Sequence, residues 1–529
     1  MRTTPHIRRL ASLGMCASVL ISIAACGGDD EEADDSGATE SEGTPTADQI
    51  VRVALHTFPP AGLDPIVVDG SDAENIAANL YNGLVSYDSE AEEFVPELAE
   101  SWEVSDDSTV WTFTLQSGVQ FHGGYGELTA DDVVFSYERA TGDESIWSSA
   151  FENVASFEAP DPQTVVITLA NPDGNFLFNV MNFHQGQVVS KKAVEELGAD
   201  FSNNPVGTGP YALATNDPSR SRIVLERFDD HFRGTPTLSE IDFTEIDQES
   251  ASIALENGEL EIILDYHGDP RLQELEDAGF VVHHPPSEAT LVTVLNPKAN
   301  PALAEVKVRQ AMLHAVDHVS ISETFAPISE KAPVNIVPTF LPEYTEDVPA
   351  YEYDPDKARD LLDEAGYPDG FTVRRLVRGV DGIEDRDLLE QEMLAEVGIT
   401  VEFDPVDPAQ FSERRLTGDF EMATRNITES TIDRTLRSIL DPGQAPPNGN
   451  NGAYYDNPEV TEMMDEGRGL TDEDERQELY QELQEIVMTD LPYLPETILV
   501  ESWPSSPNLE GMVFDINGKA DLFKAQITE

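Results

Sequence analysis

Negative charge is the feature that most constrains this chain. Of its 529 residues, 102 are Asp or Glu and 31 are Lys or Arg, which gives a formal net charge of −71 at neutral pH. Such a surface repels nucleic-acid phosphates and anionic lipid headgroups, so a nucleic-acid-binding protein is excluded. Apolar residues still make up 40% of the chain and charged residues 25%. The body is therefore expected to fold, into about three domains or one large architecture with long excursions.

The first 49 residues differ in composition from the rest. Arg2, Arg8 and Arg9 precede an apolar run, 10–25, which is shorter than the ~20 residues that span a bilayer. This pattern predicts a signal peptide over 1–25 rather than a permanent membrane helix. Residues 26–49 are rich in acids, Gly, Ser and Thr, which predicts a disordered, self-repelling tether.

The end of the apolar run carries a more specific signal. Ile23-Ala24-Ala25-Cys26 resembles the bacterial lipoprotein box, whose Cys is diacylated and becomes the mature N-terminus. Two or more acyl chains make a stable membrane anchor. A buried free thiol is the alternative for Cys26. Because Cys16 is the other cysteine of the chain, a cleaved and lipidated body would contain no disulfide and no Cys metal site.

Hydrophobic patterns in the body alternate between strand and helix periods, which predicts an α/β fold. The clearest predicted strands are 50–55, 111–115, 165–169 and 223–227, and the clearest predicted helices are 72–84, 251–257, 308–316, 356–365 and 474–488, with another helix opening at Thr129.

No catalytic motif stands out. The chain has no G-x-S-x-G elbow, no Walker A loop and no H-E-x-x-H. Gly207-Thr208-Gly209 runs into a proline and is expected to form a rigid turn. Neighbouring residues of a strand point to opposite faces, so His283 and His284 are expected to pack rather than to share a metal. Asp131-Asp132 fits a capped helix start better than an acid–base pair. We therefore expect no enzyme, no metal site and no cofactor.

Seven segments together resemble the family 5 solute-binding proteins of ABC importers, the group that binds oligopeptides, dipeptides and nickel complexes. They occur in the family's order from about residue 50 to the C-terminus. These segments are 95–103 (VPELAESWE) with 106–107 and 111–115, 118–122 (GVQFH) with 128–136, 205–211 (PVGTGPY), 308–311 with 315–317, 353–355 (YDP), 361–367 (LLDEAGY) and 492–495 (PYLP).

The resemblance implies a two-lobed clamshell of the type II periplasmic-binding-protein class, with an extra subdomain inserted in the first lobe. Ligand would bind between the lobes and favour the closed form, which a membrane permease recognises. The expected ranges are 50–83, 208–290 and 504–529 for the first lobe, 84–207 for the inserted subdomain and 291–503 for the second lobe.

Peptide binders of this family carry a G-W-x-x-D segment in the second lobe, and its Asp pairs with the peptide amine. The resemblance places Asn426 at the Gly, Ile427 at the aromatic residue and Ser430 at the Asp. The usual amine anchor is therefore missing unless Glu429 or Asp433 replaces it, and a standard free dipeptide is not the expected ligand.

Two arginines and a phenylalanine complete the predicted site. Arg425 would favour an anionic or carboxylate-bearing ligand, because guanidinium binds carboxylate with two hydrogen bonds. Arg378 lies in the general region from which dipeptide binders hold the ligand carboxylate, with Arg386 as a rival. A surface ion pair is the alternative for each arginine. Phe58, on the loop after the first strand, would supply apolar wall or ordinary core.

The predicted protein is thus a lipid-anchored extracytoplasmic receptor, a monomer, that passes a small solute, a peptide or a peptide-like molecule, to an ABC permease. Two other functions stay open at this point, a secreted hydrolase on the same scaffold and a sensor or chaperone-like lipoprotein without transport. The first would turn over peptides, and the second would lack a neighbouring permease and ATPase.

Overall fold

The computed structural model describes residues 49–88, 93–178, 184–266, 269–286, 288–379, 383–428, 431–515 and 517–528. The predicted signal peptide, Cys26 and all of the predicted tether except Gln49 lie outside the described residues. Within those ranges no helix combines the length and apolar character needed to cross a bilayer.

The strands of the described chain are short and spread from end to end. In chain order they are β1 (Ile50–Leu55), β2 (Val85–Asp88), β3 (Glu93–Pro96), β4 (Ala99–Val104), β5 (Val110–Leu115), β6 (Val154–Asp161), β7 (Thr164–Leu169), β8 (Tyr211–Asp217), β9 (Arg222–Arg227), β10 (Glu240–Glu245), β11 (Ile262–Ile263), β12 (Val281–His283), β13 (Glu288–Leu295), β14 (Glu330–Lys331), β15 (Phe371–Arg378), β16 (Ile399–Val406), β17 (Met422–Ile427), β18 (Tyr493–Val500), β19 (Trp503–Ser505), β20 (Leu509–Glu510), β21 (Val513–Phe514), β22 (Ala520–Asp521) and β23 (Gln526–Ile527).

Helices alternate with these strands, as the sequence predicts. They are α1 (Ser71–Leu80), α2 (Ala130–Ala140), α3 (Lys191–Leu197), α4 (Gln248–Glu256), α5 (Asp269–Asp277), α6 (Val306–Ala315), α7 (His318–Phe325), α8 (Pro355–Glu364), α9 (Asp385–Glu396), α10 (Pro408–Thr417), α11 (Ile432–Leu440), α12 (Pro458–Gly469) and α13 (Glu473–Asp490).

Two large mixed sheets organise the chain. The first has the order β12-β19-β11-β1-β10-β9-β8, and the second has the order β14-β18-β13-β17-β15-β16. Parallel pairs (β1 with β10 and β11, and β15 with β16 and β17) sit beside antiparallel ones. A four-stranded antiparallel sheet, β4-β5-β7-β6, adds a third layer. Its strands β5 and β7 alternate buried and half-buried side chains, the pattern of a strand with one face on the core.

Each large sheet has its own apolar core. One cluster joins Val53 of β1 and Trp503 of β19 to Phe113 of β5, so the four-stranded sheet shares the core of the seven-stranded sheet. A second cluster gathers around the six-stranded sheet and includes Val294 of β13 and Leu436 of α11. The two large sheets therefore do not depend on each other for burial of their main apolar surfaces.

The chain passes between these cores twice, and the two passages run side by side. On one side β12 pairs with β19, with His283 opposite Trp503. On the other side β13 pairs with β18, with Glu288 opposite Val500. The predicted lobe boundaries, after 290 and after 503, fall close to these two changes of sheet. The division into lobes itself stays a prediction.

Helix α1 ends four residues earlier than the periodicity predicts. Tyr81 has extended backbone angles, φ −129° and ψ 161°. Its neighbour Leu80 accepts a hydrogen bond of 3.0 Å from the Gly209 amide. A Cβ at Gly209 would lie 2.4 Å from the Leu80 carbonyl carbon, and one at Gly207 would lie 2.2 Å from the Leu80 carbonyl oxygen. The G-T-G-P-Y turn is thus the segment that caps this helix.

Two further sequence predictions concern local structure. The capped start of α2 is confirmed, because the Thr129 amide and hydroxyl both donate to the Asp132 carboxylate, at 3.0 and 2.8 Å. Of the two adjacent histidines, His283 is half-buried and His284 is exposed. His283 Nε2 lies 2.8 Å from Ser505 Oγ and His284 Nδ1 lies 3.2 Å from the Glu501 carbonyl oxygen.

Three carboxyl groups around the seven-stranded sheet belong to buried or half-buried residues. Burial raises the pKa of Glu97 to about 7, although Asn82 Nδ2 and the Gly83 amide donate to its carboxylate at 2.7 and 2.9 Å. Burial likewise raises the pKa values of Asp72 and Asp515 to about 6. In the folded protein these groups hold protons at a pH where the unfolded chain has lost them. Their contribution to stability is therefore largest at acidic pH and is lost as the pH rises through the folded pKa.

We expect Gly209→Ala to lower the free energy of unfolding by about 2 kcal/mol or more, because the added methyl group meets backbone atoms that cannot rotate away. Urea unfolding measures this change. Gly469→Ala is the matched control, since its nearest neighbour would be Pro172 Cβ at 4.0 Å, and it is expected to change stability by less than about 1 kcal/mol. Equal losses in the two variants would contradict this packing role for the turn.

We expect Glu97→Gln to flatten the dependence of stability on pH between about 4.5 and 7. Protein with Glu97 should lose roughly 2 kcal/mol of unfolding free energy across this window, and the variant should keep it, because the amide does not ionise. Urea unfolding at fixed high salt, at several pH values, tests this. The exposed Glu100→Gln variant is the control, and a slope in Glu97→Gln equal to that of the control would refute the assignment.

Candidate functional site

A cavity of about 830 Å³ lies where the two main cores meet the connecting segments. Its volume is within the range of small-molecule binding sites in proteins. Both large sheets and both passages contribute to its wall. The lining residues are Asp69, Gly70, Ser71, Glu74, Trp147, Gln185, Asp265, Pro286, Ala289, Ser329, Glu330, Phe340, Thr428, Arg434, Leu499, Val500, Glu501, Asn517 and Lys519.

The ends of three strands of the six-stranded sheet form one side of the cavity wall. Ala289 is the second residue of β13, Leu499 and Val500 end β18, and Thr428 follows β17. Because β13 runs antiparallel to both β17 and β18, these ends meet at one edge of the six-stranded sheet. Pro286 and Glu501 belong to the two passages between the sheets and line the cavity as well.

The opposite side is formed by the beginning of α1 and by loops of the seven-stranded sheet. Gly70, with φ +90°, turns the chain so that Asp69 and Ser71 both reach the cavity. Trp147 contributes an aromatic wall, and its indole N–H donates to the Val68 carbonyl at 3.1 Å, which fixes the ring. Phe340 supplies a second aromatic surface to the same cavity.

Charge is unevenly distributed over the lining. Lys519 Nζ lies 2.9 Å from the Glu74 carboxylate, and Arg386, behind the wall, contacts Glu330. Arg434 is half-buried in the first turn of α11. Within the part of the chain that the structure describes, no carboxylate lies within 4 Å of the Arg434 guanidinium. The lining therefore combines excess carboxylates, Asp69 and Asp265 among them, with one cation that faces no ion-pair partner there.

The residues singled out in the sequence do not all reach this cavity. Phe58 lines a separate surface cavity of about 340 Å³, together with Pro59 and Ile223. Arg378 is exposed at the end of β15, with its guanidinium carbon 5.4 Å from the centre of the Phe411 ring. Arg425 is half-buried in β17, with Nη2 3.4 Å from Ser438 Oγ. None of the three lines the larger cavity, and their assignment to a ligand stays a prediction.

The segment that replaces the family's amine anchor is only partly described. Asn426 is exposed in β17, whereas Ile427 is fully buried in the core. Glu429 and Ser430 lie outside the described residues. Asp433 is fully buried, and its carboxylate accepts from Arg437 at 2.7 Å, from Arg468 and from the Tyr480 hydroxyl at 3.2 Å. This carboxylate is committed to holding α11, α12 and α13 together.

Sequence reasoning missed the residues that do line the cavity. Asp69, Gly70 and Ser71 directly precede a predicted helix, and that position could have identified them as residues at a helix N-terminus. Arg434 sits in the first turn of a helix that the sequence analysis did not predict. No local sequence pattern identified Trp147 or Phe340 as site residues, because only the tertiary fold brings them to the cavity. Among the described residues, no group of three or more His, Cys, Asp or Glu side chains is arranged to hold a metal ion.

Comparison with known proteins relates the chain to one family. The family model of bacterial extracellular solute-binding proteins, family 5 middle, matches residues 93–438. Heme-binding protein A of Haemophilus influenzae is 26% identical over 541 residues, covering 95% of this chain and 96% of the relative. The glutathione-binding protein GsiB of Salmonella typhi is 28% identical over 464 residues, covering 85% of this chain and 89% of the relative.

A solved structure gives the same result for the fold. The ABC transporter-associated periplasmic binding protein DppA from Helicobacter pylori, in complex with the peptide STSA, superposes with a TM-score of 0.72 at 25% identity. The match covers 91% of this chain and 98% of that one. The predicted α/β fold of the type II periplasmic-binding-protein class is confirmed. The chain belongs to the bacterial extracellular solute-binding proteins of family 5, the binding proteins of ABC importers.

Proposed function

We propose that this protein is a receptor that captures a peptide-like solute in the 830 Å³ cavity and delivers it to an ABC permease. The observation that carries the proposal is the position of that cavity, which is lined by two sheets with separate cores and by both segments that connect them. A solute held there touches both lobes at once. Its binding therefore favours whichever arrangement brings the lobes together.

Closure of the two lobes requires no covalent change in the ligand. The permease would recognise the closed arrangement, and the energy of binding would set how much of the protein adopts it. The relatives support this view, because their names describe ligand binding rather than turnover. We accordingly propose a receptor that makes and breaks no covalent bond, in preference to a hydrolase.

The charges of the lining favour a solute that carries both signs. The Arg434 guanidinium would take a carboxylate of the ligand, with two parallel hydrogen bonds. Asp69, exposed at the start of α1, would face a ligand ammonium group, with Asp265 adding negative charge on the same lining. Trp147 and Phe340 would contact apolar side chains. A peptide has all of these features, and relatives named for glutathione and for a peptide complex fit that class.

The N-terminus would keep the receptor at the membrane. Acylation of Cys26 supplies the anchor, and residues 26–49 supply an acidic tether that holds the folded body away from the lipid surface. Family members act outside the cytoplasm, where such a tether would restrict a monomeric receptor to the neighbourhood of its permease and raise its effective concentration there.

We expect Arg434→Gln to weaken binding of peptides with a free carboxylate by about tenfold to a few hundredfold, because one charge-assisted contact is lost. Calorimetry with di- to pentapeptides, each as the free acid and as the C-terminal amide, measures this. The native protein should prefer the acid, and the variant should bind acid and amide alike. Arg271→Gln is the control, since Arg271 pairs with Glu256 and Glu274 at the surface.

Two results would overturn this reading of the site. If the native protein binds no peptide of the series and mass spectrometry finds no peptide-like molecule co-purified with it, the ligand class is wrong. If the purified protein hydrolyses the peptides that it binds, and a single carboxylate substitution stops the hydrolysis, the protein is an enzyme and the receptor proposal fails.

We expect Cys26→Ala to release the protein from membranes into the soluble fraction, because the acylated thioether is lost. Detergent phase partitioning and labelling with a fatty-acid analogue give the readout. Cys16→Ala is the matched control and should leave anchoring and labelling unchanged. Membrane attachment of Cys26→Ala at the native level would contradict lipidation at this residue.

A further inference from the structure

A loop of the first core contacts the second core at a glycine. The loop comprises 172–174, after β7, and its last residue, Gly174, is half-buried. The Gly174 amide donates a hydrogen bond of 2.8 Å to the carbonyl oxygen of Arg468, in the last turn of α12. Phe176, beside the loop, belongs to the core of the seven-stranded sheet, whereas Met464 of α12 belongs to the core of the six-stranded sheet. The hydrogen bond therefore joins the two cores at a place other than the two chain passages.

The Gly174 contact, which comprises 172–174 and 468–471, leaves no room for a side chain on the glycine. A Cβ on Gly174 would lie 1.9 Å from the Leu470 carbonyl oxygen and 2.5 Å from the Leu470 carbonyl carbon. These are backbone atoms of the other core, so no side-chain rotation can relieve the overlap. Gly174 is not among the described glycines with a positive φ, so its own backbone conformation accepts alanine. The close approach of the two cores is what requires glycine at this position.

The first core fixes the position of the loop. The amide of buried Asp173 donates to the Ser108 carbonyl oxygen at 3.2 Å, and the Asn175 amide donates to the Asp173 carboxylate at 2.9 Å. The Phe176 ring packs against Trp111, with 5.7 Å between the ring centres. The loop therefore cannot move away from α12 without disturbing contacts within its own core.

The end of α12 is fixed as well, and it is connected to the cavity wall. The last carbonyl groups of an α-helix have no partner within the helix and carry partial negative charge, so a backbone N–H from another segment caps them well. The Arg468 side chain holds this helix end to α11, because its Nη2 lies 3.1 Å from the buried Asp433 carboxylate. The next residue of α11, Arg434, lines the 830 Å³ cavity.

We propose that Gly174 is a positioning residue for solute binding, because its contact with the end of α12 holds the two lobes in the closed arrangement. This role rests on the proposed function, in which the solute lies between the lobes. None of the residues 172–174 and 468–471 is among those that line the 830 Å³ cavity. The contact therefore adds to solute affinity by stabilising the closed form, and not by touching the solute.

Substitution of the glycine separates closure from folding. In Gly174→Ala the added methyl group meets Leu470 only when the lobes are together, while each core keeps its own packing. We expect this variant to bind peptide about tenfold more weakly or worse, through faster dissociation, with the urea midpoint of the unliganded protein nearly unchanged. Calorimetry with the free-acid peptides of the series above gives the affinity, and stopped-flow tryptophan fluorescence gives the dissociation rate.

Gly469→Ala is the matched control, since it adds a methyl group to the same contact with its nearest neighbour, Pro172 Cβ, 4.0 Å away. This variant should bind peptide as the native protein does. Equal peptide affinities of Gly174→Ala and Gly469→Ala would overturn the proposal. A fall in the urea midpoint of unliganded Gly174→Ala large enough to account for the lost binding would also overturn it, because Gly174 would then act on folding.

A pair of cysteines tests the closed form directly. Pro172 Cβ and a Cβ placed on Gly469 would be 4.0 Å apart, within the range of about 3.5–4.5 Å for Cβ atoms that a disulfide joins. The full-length double variant Pro172→Cys, Gly469→Cys is oxidised with diamide, and the cross-linked peptide is quantified by mass spectrometry. We expect the cross-link to form, to form faster with saturating peptide, and to form about tenfold more slowly when Gly174→Ala is added. The two single variants control for disulfides to Cys16 or Cys26.

The same double variant distinguishes a failure of the contact from a failure of the solute proposal. Slower cross-linking on addition of Gly174→Ala, in a protein that binds no peptide of the series, would support the role of Gly174 in closure and contradict the ligand class. Native peptide affinity in Gly174→Ala, with cross-linking at an unchanged rate, would overturn the role of Gly174 and leave the receptor proposal standing. The oxidised double variant should release bound peptide more slowly than the reduced one, and equal release rates would contradict control of closure by this contact.

Discussion

Two antiparallel strand pairs, β12 with β19 and β13 with β18, link everything else in this molecule. Each pair belongs to a different sheet, and the same two chain segments leave one pair and enter the other. Because each large sheet buries its own apolar face, the main apolar surface of neither depends on the other. The relative position of the two cores then depends on two short connections, on direct contacts such as the hydrogen bond from the Gly174 amide to the Arg468 carbonyl, and on whatever occupies the space between them. A solute that binds in that space would act on the relative position of the two cores rather than on their folding.

Most ion pairs among the described residues are made by arginine side chains. Buried Arg375 lies between Glu390 at 2.5 Å and Glu496 at 2.7 Å, and buried Arg476 contacts Glu343 at 3.1 Å. Removing one partner from such a buried pair leaves an uncompensated charge, which is strongly destabilising. Against that background, Arg434 in the cavity lining is informative, since no described carboxylate pairs with it. A basic residue whose charge no described carboxylate balances is a position at which an anion can bind.

The sequence predicts more of the fold than of the candidate site. Strands β1, β5, β7 and β9 and the helices α4, α6, α8 and α13 were predicted within a few residues, since their apolar periodicity is strong. The early end of α1 was missed because its cause, the Gly209 amide at Leu80, is more than a hundred residues away. The predicted site residues stay a prediction, and they differ from the residues that line the cavity for a related reason. Ile427 aligned with a ligand contact and is buried in the core, and Trp147 reaches the cavity through packing that no local pattern records.

The seven-stranded sheet places the first strand of the described chain at its centre. Strand β1 hydrogen-bonds β10 and β11, and β11 in turn pairs with Ser505 of β19. Gln49, just before β1, exchanges hydrogen bonds with Ile527. A chain made from its N-terminus therefore cannot complete this sheet until β19, Trp503–Ser505, has been made. Strands β11 and β12 therefore wait for β19, whereas all strands of the six-stranded sheet lie between residues 288 and 500, so that sheet can be complete before the seven-stranded one.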